Sequence, residues 1–223
     1  MTSVESDSFE LRNKYGHSAR KDVAAFVPES AKRLLDVGCN TGGFGEGLKR
    51  ERDIEVWGVE PNAEAANYAS TLLNNVLCEP FDSSTTVPDN YFDMVVFNDV
   101  LEHLVDPWSA LGLAKRKLRS GGCILASIPN FLHKDNLLHI LIDRNFEYQT
   151  SGIRDKTHLR FFTKKSAQKL FIDCGYRLEK FVGVNEDWWS PSLFSRIAYR
   201  LFSTQLQETK FIQFVVVAKP EQY

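Results

Sequence analysis

The chain has 223 residues, with 27 Lys and Arg against 29 Asp and Glu and a formal net charge of −2. Apolar residues at 43% and charged residues at 25% exclude a disordered or fibrous chain, and the length suits one domain that buries about 70% of its unfolded surface without a disulfide or metal staple. The near-neutral balance excludes a broad basic footprint for nucleic acid, and no apolar run approaches the roughly 20 residues of a transmembrane helix.

The first ten residues, Met1 to Glu10, are polar and acidic and carry no signal-peptide apolar stretch. The segment 1–32 is read as a helical lead-in. Arg33 to Cys39 (RLLDVGC) reads as a buried strand, Gly43 to Arg52 as a helix and Val56 to Glu60 as a second strand. An alanine-rich helix over Asn62 to Asn74 precedes a short third strand, Asn75 to Cys78. The fourth strand is Phe92 to Asn98. A helix over Pro107 to Leu118 is expected to stop at Ser120-Gly121-Gly122, before a fifth strand over Cys123 to Ile128. Strand and helix alternating at this spacing predict right-handed βαβ units and a parallel sheet.

The last third differs. Thr163 to Cys174 reads as a helix stopped by Gly175. Arg177 to Val184 and Phe211 to Lys219 read as strands without a helical crossover, suited to an antiparallel edge. The stretches 131–162 and 185–210 are too long for simple connections and read as functional insertions. The four cysteines, Cys39, Cys78, Cys123 and Cys174, are widely spaced. They read as reduced thiols of a cytoplasmic protein.

The strongest chemical signal is Asp36-Val37-Gly38-Cys39-Asn40-Thr41-Gly42-Gly43, a glycine-rich turn between a strand and a helix. Glycines serve where backbone takes positive φ or meets a ligand closely. Glu60 ends the next strand 24 residues after Asp36, where an acid can hold two ribose hydroxyls.

The D-x-G-x-x-x-G spacing resembles the first motif of class I S-adenosylmethionine-dependent methyltransferases. VWGVEPN (56–62) is similar to their second-strand motif. The run from Phe92 to Leu104, ending in VLEHL, resembles a block of the ubiquinone-biosynthesis and related small-molecule branch. LRSGGCILASIPN (118–130) resembles a later block of the same enzymes. The resemblance implies a Rossmann-like, doubly wound α/β sheet of seven strands with an antiparallel last strand and helical lid insertions. The whole of 1–223 is then one methyltransferase domain with its cofactor-binding core at 33–130.

The resemblance implies S-adenosyl-L-methionine as cofactor and S-adenosyl-L-homocysteine as product. Gly38 and Cys39 would line the methionine part, with Asp36 orienting the turn or meeting the amino group. Asn40 and Gly42 would shape the turn; Asn stands at 40 where many members carry glycine, and Asn tolerates left-handed backbone. Glu60 would hold the ribose, with Pro61 and Asn62 beside the adenine. Glu79 replaces the family's usual Asp near the adenine amine. Asn98 and Asp99 would flank the sulfonium and the acceptor.

Methyl transfer from a sulfonium depends mostly on alignment, helped by a base when the acceptor is a hydroxyl. His103, in VLEHL, and His158, in a stretch reading HLRFFT, are the candidate bases; His158 can equally serve to tie the insertion to the sheet. Arg160 and Asn130 are the candidate acceptor contacts. No metal site is indicated, because no HxxxH or cysteine cluster occurs and Glu102-His103 alone is a weak signal.

The segment after Trp188-Trp189-Ser190-Pro191 predicts an amphipathic helix with Leu193, Phe194, Ile197, Ala198, Leu201 and Phe202 on one face. Packing over the sheet or against a partner subunit, as in a homodimer, is favoured over membrane contact. The expected acceptor is a small molecule, most readily an oxygen of a sugar or isoprenoid-like phenol. The other readings are a non-catalytic cofactor-binding module and an RNA or protein methyltransferase. The latter is disfavoured because NDVL stands in place of the NPPY or DPPY tetrad typical of amino-nitrogen methylation, and the charge balance gives little support for RNA.

Overall fold

The computed structural model describes residues 12, 14, 16–187, 200 and 206–221. The predicted Trp188–Phe202 helix lies outside the described residues, except Arg200. After a short helix α1 (Lys21–Ala24), strands β1 (Arg33–Val37), β2 (Glu55–Val59) and β3 (Asn75–Leu77) alternate with helices α2 (Gly43–Glu51) and α3 (Ala63–Ala69). Strand β4 (Phe92–Asn98) leads through a 3₁₀ turn, Leu101–His103, into α4 (Pro107–Lys117) and β5 (Leu118–Pro129). Helices α5 (Lys134–Leu141) and α6 (Lys164–Asp173) precede β6 (Tyr176–Glu186) and β7 (Phe211–Pro220).

The strands form one sheet in the order β3-β2-β1-β4-β5-β7-β6. The first five run parallel, while β7 is antiparallel to both β5 and β6. The reversed strand is therefore internal, and β6 forms the edge, which refines the expected antiparallel edge. Chain direction across the sheet switches between β1 and β4, so a crevice opens at the carboxyl ends of these strands.

Both faces of the sheet are covered, which explains why β1, β4 and β5 read as unbroken apolar runs. Leu35, Val37, Val95, Phe97, Ile124 and Ala126 pack on one face with Leu111, Ala114 and Phe171 of α4 and α6. Their chain neighbours Leu34, Met94, Val96, Cys123 and Leu125 pack on the other, with Val23, Val27, Phe44 and Leu48. The alternation is the two-residue period of a strand.

Local chemistry sets the helix starts. Asp106 caps α4 through Ser109 N–H with Pro107 at its first position, and Thr163 and Ser166 form a reciprocal capping box on α6. Two boundaries are corrected: helix α3 ends at Ala69, five residues short of the expected Asn74. Helix α4 ends at Lys117, before Ser120-Gly121-Gly122, and these residues lie within β5 beside an irregularity in its pairing with β4. The insertion 131–162 is tied at its base by a bridge between Asn130 and Phe162.

Candidate active site

A cleft of about 1250 Å³ lies over the carboxyl ends of β1, β2 and β4. Its walls include residues 36–41, 59–61 and 98–100, with Leu104, Val105 and Leu113 beyond them. Gly38 stands at φ +68°, and a Cβ there would meet Val100 Cγ2 at 2.7 Å. Only glycine lets this turn pass so close under the 98–100 loop. Asn40, also left-handed at φ 52°, keeps the turn in place of a glycine, as expected.

Glu60 ties the turn to the next helix. Its Oε2 accepts from Asn40 N–H at 2.9 Å and its Oε1 from Asn62 N–H at 2.9 Å. Each oxygen keeps a further lone pair for a ligand. Asp36 is 2% exposed, and its Oδ1 has no partner among the described residues. Burial, and then the charge of Glu60, push its carboxyl up to about 8. Asn98 lines the cleft with both amide atoms buried and unpartnered among the described residues. Buried polar atoms left open on a cleft wall are where a ligand's hydrogen bonds are wanted. Cys39 lines the cleft as a packed thiol; burial raises it and keeps it protonated.

The N-terminal strap, residues 16–20, was not anticipated as part of the site. It lies along α2 because Gly43 and Gly47 present no side chain: a Cβ at Gly43 would stand 2.7 Å from Ser18 N, and one at Gly47 2.8 Å from Ala19 Cβ. Gly43 and Gly47, beyond the D-x-G-x-x-x-G spacing, thus serve chain packing. His17 anchors the strap, with Nδ1 2.9 Å from Thr41 Oγ1 and Nε2 2.9 Å from Glu46 Oε2. Gly16, His17, Ser18 and Arg20 all line the cleft.

Arg20 reaches across to β4. Its guanidinium is paired with Asp99, donates to Gln213 Oε1 at 3.0 Å and holds Asp22 at 3.2 Å. Asp99 Oδ1 also accepts from Ser127 Oγ at 2.9 Å and Gln213 Nε2 at 2.9 Å. Asp99 lines the cleft as predicted, but as the ion-paired anchor of the strap, with three hydrogen bonds already placed on its carboxylate.

Several predicted contacts fall elsewhere. Glu79 is turned onto the following loop, where its Oε1 accepts from Thr85 Oγ1 at 2.6 Å and Thr86 N–H at 2.8 Å. It is not among the lining residues; Phe81, Asp82 and Ser83 line the cleft at that strand end. Pro61 lines the cleft, but the Asn62 side chain caps α3 through Ala65 N–H. Asn130 is fully buried, donating to the Glu208 and Phe211 carbonyls and accepting from Leu132 N–H. Those bonds brace β5 against the start of β7, and leave its carboxamide no free group for an acceptor. Arg160 also stands outside the lining: its Nη2 donates to Val105 O at 2.5 Å and its guanidinium lies 6.0 Å from the Trp108 ring.

Of the two histidines, His103 lines the cleft and His158 stands behind it, their ring centroids 4.7 Å apart. Nδ1 of His103 lies 3.2 Å from Thr157 O, and Nδ1 of His158 lies 3.0 Å from Ile153 O. A carbonyl only accepts, so His158 Nδ1 carries the proton and its Nε2 the lone pair, while His103 Nδ1 faces both Thr157 O and, at 3.1 Å, Thr157 Oγ1. Burial lowers His158, which keeps it neutral at pH 7. Backbone bonds hold the insertion onto the 3₁₀ turn: Glu102 O accepts from Leu159 and Arg160 N–H at 2.8 and 2.9 Å. Burial, and then Asp99, raise the Glu102 carboxyl well above its ordinary range.

Comparison with known proteins shows which family the chain belongs to. A family model described as a methyltransferase domain matches residues 11–180. A ubiquinone biosynthesis O-methyltransferase of Psychrobacter arcticus is 28% identical over 180 residues, 75% of this chain and 68% of that protein. The 27-O-demethylrifamycin SV methyltransferase of Amycolatopsis mediterranei is 32% identical over 108 residues, 45% of this chain and 40% of its own length. In fold, the chain is similar to the crystal structure of a SAM-dependent methyltransferase from Archaeoglobus fulgidus, with a TM-score of 0.69 at 22% identity over 95% of this chain and 98% of the other.

Proposed function

Because this chain belongs to the methyltransferase-domain family and is an S-adenosylmethionine-dependent enzyme, we propose that its acceptor is a small hydroxylated molecule, methylated on oxygen. The cofactor supplies an electrophilic methyl group on a sulfonium. The protein's residues fit it: the close approach under Gly38, the open lone pairs of Glu60 and the unpartnered Asp36 and Asn98 all face one cleft. Glu60 would hold the ribose hydroxyls and Asp36 the amino group.

The observation that carries the acceptor reading is His103 on the cleft wall beside Leu104, Val105 and Leu113. An imidazole on that wall suits activation of a hydroxyl, and Leu104, Val105 and Leu113, interspersed with the polar Asp106, Ser109 and Arg116, suit an aromatic hydroxyl. The two named O-methyltransferase relatives support oxygen as the acceptor atom. The direct test is transfer of a labelled methyl group from S-adenosylmethionine to a panel of phenols and sugars. Transfer to phenols supports the reading. Cofactor binding without transfer to any hydroxyl acceptor would favour a non-catalytic binding module.

His103→Ala is expected to lower kcat by about 100-fold, the usual contribution of a positioned proton-transfer group, while S-adenosylhomocysteine affinity stays within twofold. Unchanged kcat would remove His103 from the reaction. His158 acts through His103, as a positioning residue.

Asp36 makes cofactor binding pH-linked. Its carboxyl stands near 8 in the free protein, so it is mostly protonated at pH 7. A cationic amino group set against it favours the carboxylate, so binding expels the proton. Calorimetry of S-adenosylhomocysteine binding in buffers of differing ionisation heat is expected to show release approaching one proton at pH 6.5 to 7, vanishing above about pH 9 and in Asp36→Asn. Release that survives Asp36→Asn would assign it to another group.

A further inference from the structure

At the end of the sheet away from the cleft, a cavity of about 740 Å³ opens where β4 and β5 begin and β7 ends. Two steps along β4, from Phe92 to Met94, are matched by five along β5, so Arg119 to Gly122 loop out of the ladder. Gly121 stands at φ +78° with nothing within 4 Å of where a Cβ would be, so the turn needs its glycine for conformation and leaves open space beside it.

Four cationic side chains line this cavity, Lys115, Arg119, Arg177 and Lys219, against one acid, Glu221. Arg177 of β6 and Lys219 of β7 are register partners across the antiparallel ladder, so both project from one face of the sheet with Cβ atoms about 4.5–5.5 Å apart. Like charges directly opposite each other destabilise a sheet, and an anion between them removes that cost. Nearby carboxylates do not cancel the charge. Asp93 is taken by Arg119, and Glu179 by Arg177 at 2.7 Å. Lys115 Nζ donates to the Cys174 and Gly175 carbonyls at 2.8 and 3.1 Å, which fixes an ammonium at the cavity without a counter-charge. Lys219 has no hydrogen-bond or ion-pair partner among the described residues, and Glu221 forms no ion pair among them.

We propose that this cavity is a second binding site, for a small soluble molecule carrying a phosphate ester or diphosphate. Closely spaced cations suit a group with more than one negative charge, and arginine forks match phosphate oxygens. Arg119 Nη2 and Arg177 Nη1 have no partner among the described residues, so each fork keeps an edge for an oxygen. The volume exceeds what a bare ion needs and lies in the range of small-molecule sites. None of the exposed large apolar side chains of the described residues lines it, which argues against a lipid surface. The net charge of −2 gives no broad footprint for a nucleic-acid strand. The cavity shares no lining residue with the cofactor cleft, so this site stands or falls separately from the acceptor reading.

The test is calorimetric titration of the full-length protein with sodium pyrophosphate at constant ionic strength, with S-adenosylhomocysteine present at saturation to occupy the cleft. One saturable equivalent is expected. Lys219→Met is expected to weaken it by at least about tenfold through loss of a charge-assisted hydrogen bond, with S-adenosylhomocysteine affinity unchanged. It is also expected to raise the melting temperature of the ligand-free protein by about 1 °C or more, because the like-charge pair is gone. Arg177→Met is the second variant, with the same expected loss of pyrophosphate affinity. No saturable uptake by the wild type overturns the site, as does unchanged pyrophosphate affinity in either variant. A lower melting temperature in ligand-free Lys219→Met also overturns it, since Lys219 would then already hold a partner. Wild-type protein sedimenting with phosphatidylglycerol vesicles, where Lys219→Met does not, would assign these cations to a lipid surface and overturn the soluble ligand.

Discussion

Glu60→Ala is expected to weaken S-adenosylhomocysteine binding by about 100-fold and to lower the melting temperature by a few degrees, because two backbone N–H groups lose their acceptor. Two hydroxyl bonds to a carboxylate are worth about 1.5 kcal/mol each or more, and about 3 kcal/mol corresponds to roughly two decades of affinity. The same side chain accepts from Asn40 N–H and Asn62 N–H, so its loss also frees the turn that approaches the ligand. Glu60→Gln sharpens the test. An amide matches the shape but offers one acceptor oxygen, so its NH₂ would oppose a backbone N–H. It is therefore expected to weaken binding as well, though by less. Isothermal titration decides it: an affinity within threefold of wild type for Glu60→Ala would remove Glu60 from the cofactor site.

The second large effect belongs to Arg20. Arg20→Ala is expected to lower stability by about 2 kcal/mol, a fall of about 4 to 8 °C for a chain of this size, and to cost about tenfold in cofactor affinity. Breaking a fully buried pair costs about 3–5 kcal/mol. The lower figure applies because the Arg20 and Asp99 side chains keep 19% and 29% exposure, so water screens part of the loss. The affinity loss follows from the strap, since residues 16–20 form one wall of the cleft and Arg20 fastens them to Asp99. Arg20→Lys keeps the charge but not the fork that also meets Asp22 and Gln213, so it should recover only part of the stability. Thermal melts and S-adenosylhomocysteine titration together test this. Both unchanged in Arg20→Ala would mean the strap is held by His17 and glycine packing alone.

Legibility in the sequence was uneven for physical reasons. The strand boundaries of β1, β2 and β4 came within a residue or two, because strands covered on both faces must be continuously apolar and the glycine turn marks where β1 stops. The placement of Asp36, Gly38, Asn40, Glu60 and Asn98 on one cleft follows from parallel strands ending at one edge of the sheet. Glu79 and Asn62 misled because a short acid or amide at a strand end has two uses: it can face a ligand, or it can close its own loop or cap the next helix. Asn130 misled for the same reason, spending its amide on three backbone groups. Arg20 left no signal at all, because its partner Asp99 is 79 residues away and no local periodicity marks it.

Sequence alone therefore determined the cofactor half of this protein, where function is encoded in short contiguous turns whose chemistry demands particular residues at fixed spacing. Tertiary structure decided the acceptor half. It showed that Asp99 is tied to Arg20, that Gly43 and Gly47 admit the N-terminal strap, and that Glu102 and His103 meet His158 from a segment more than fifty residues later. Such contacts depend on where long insertions land on the sheet, and burial and pairing with distant residues set their chemistry.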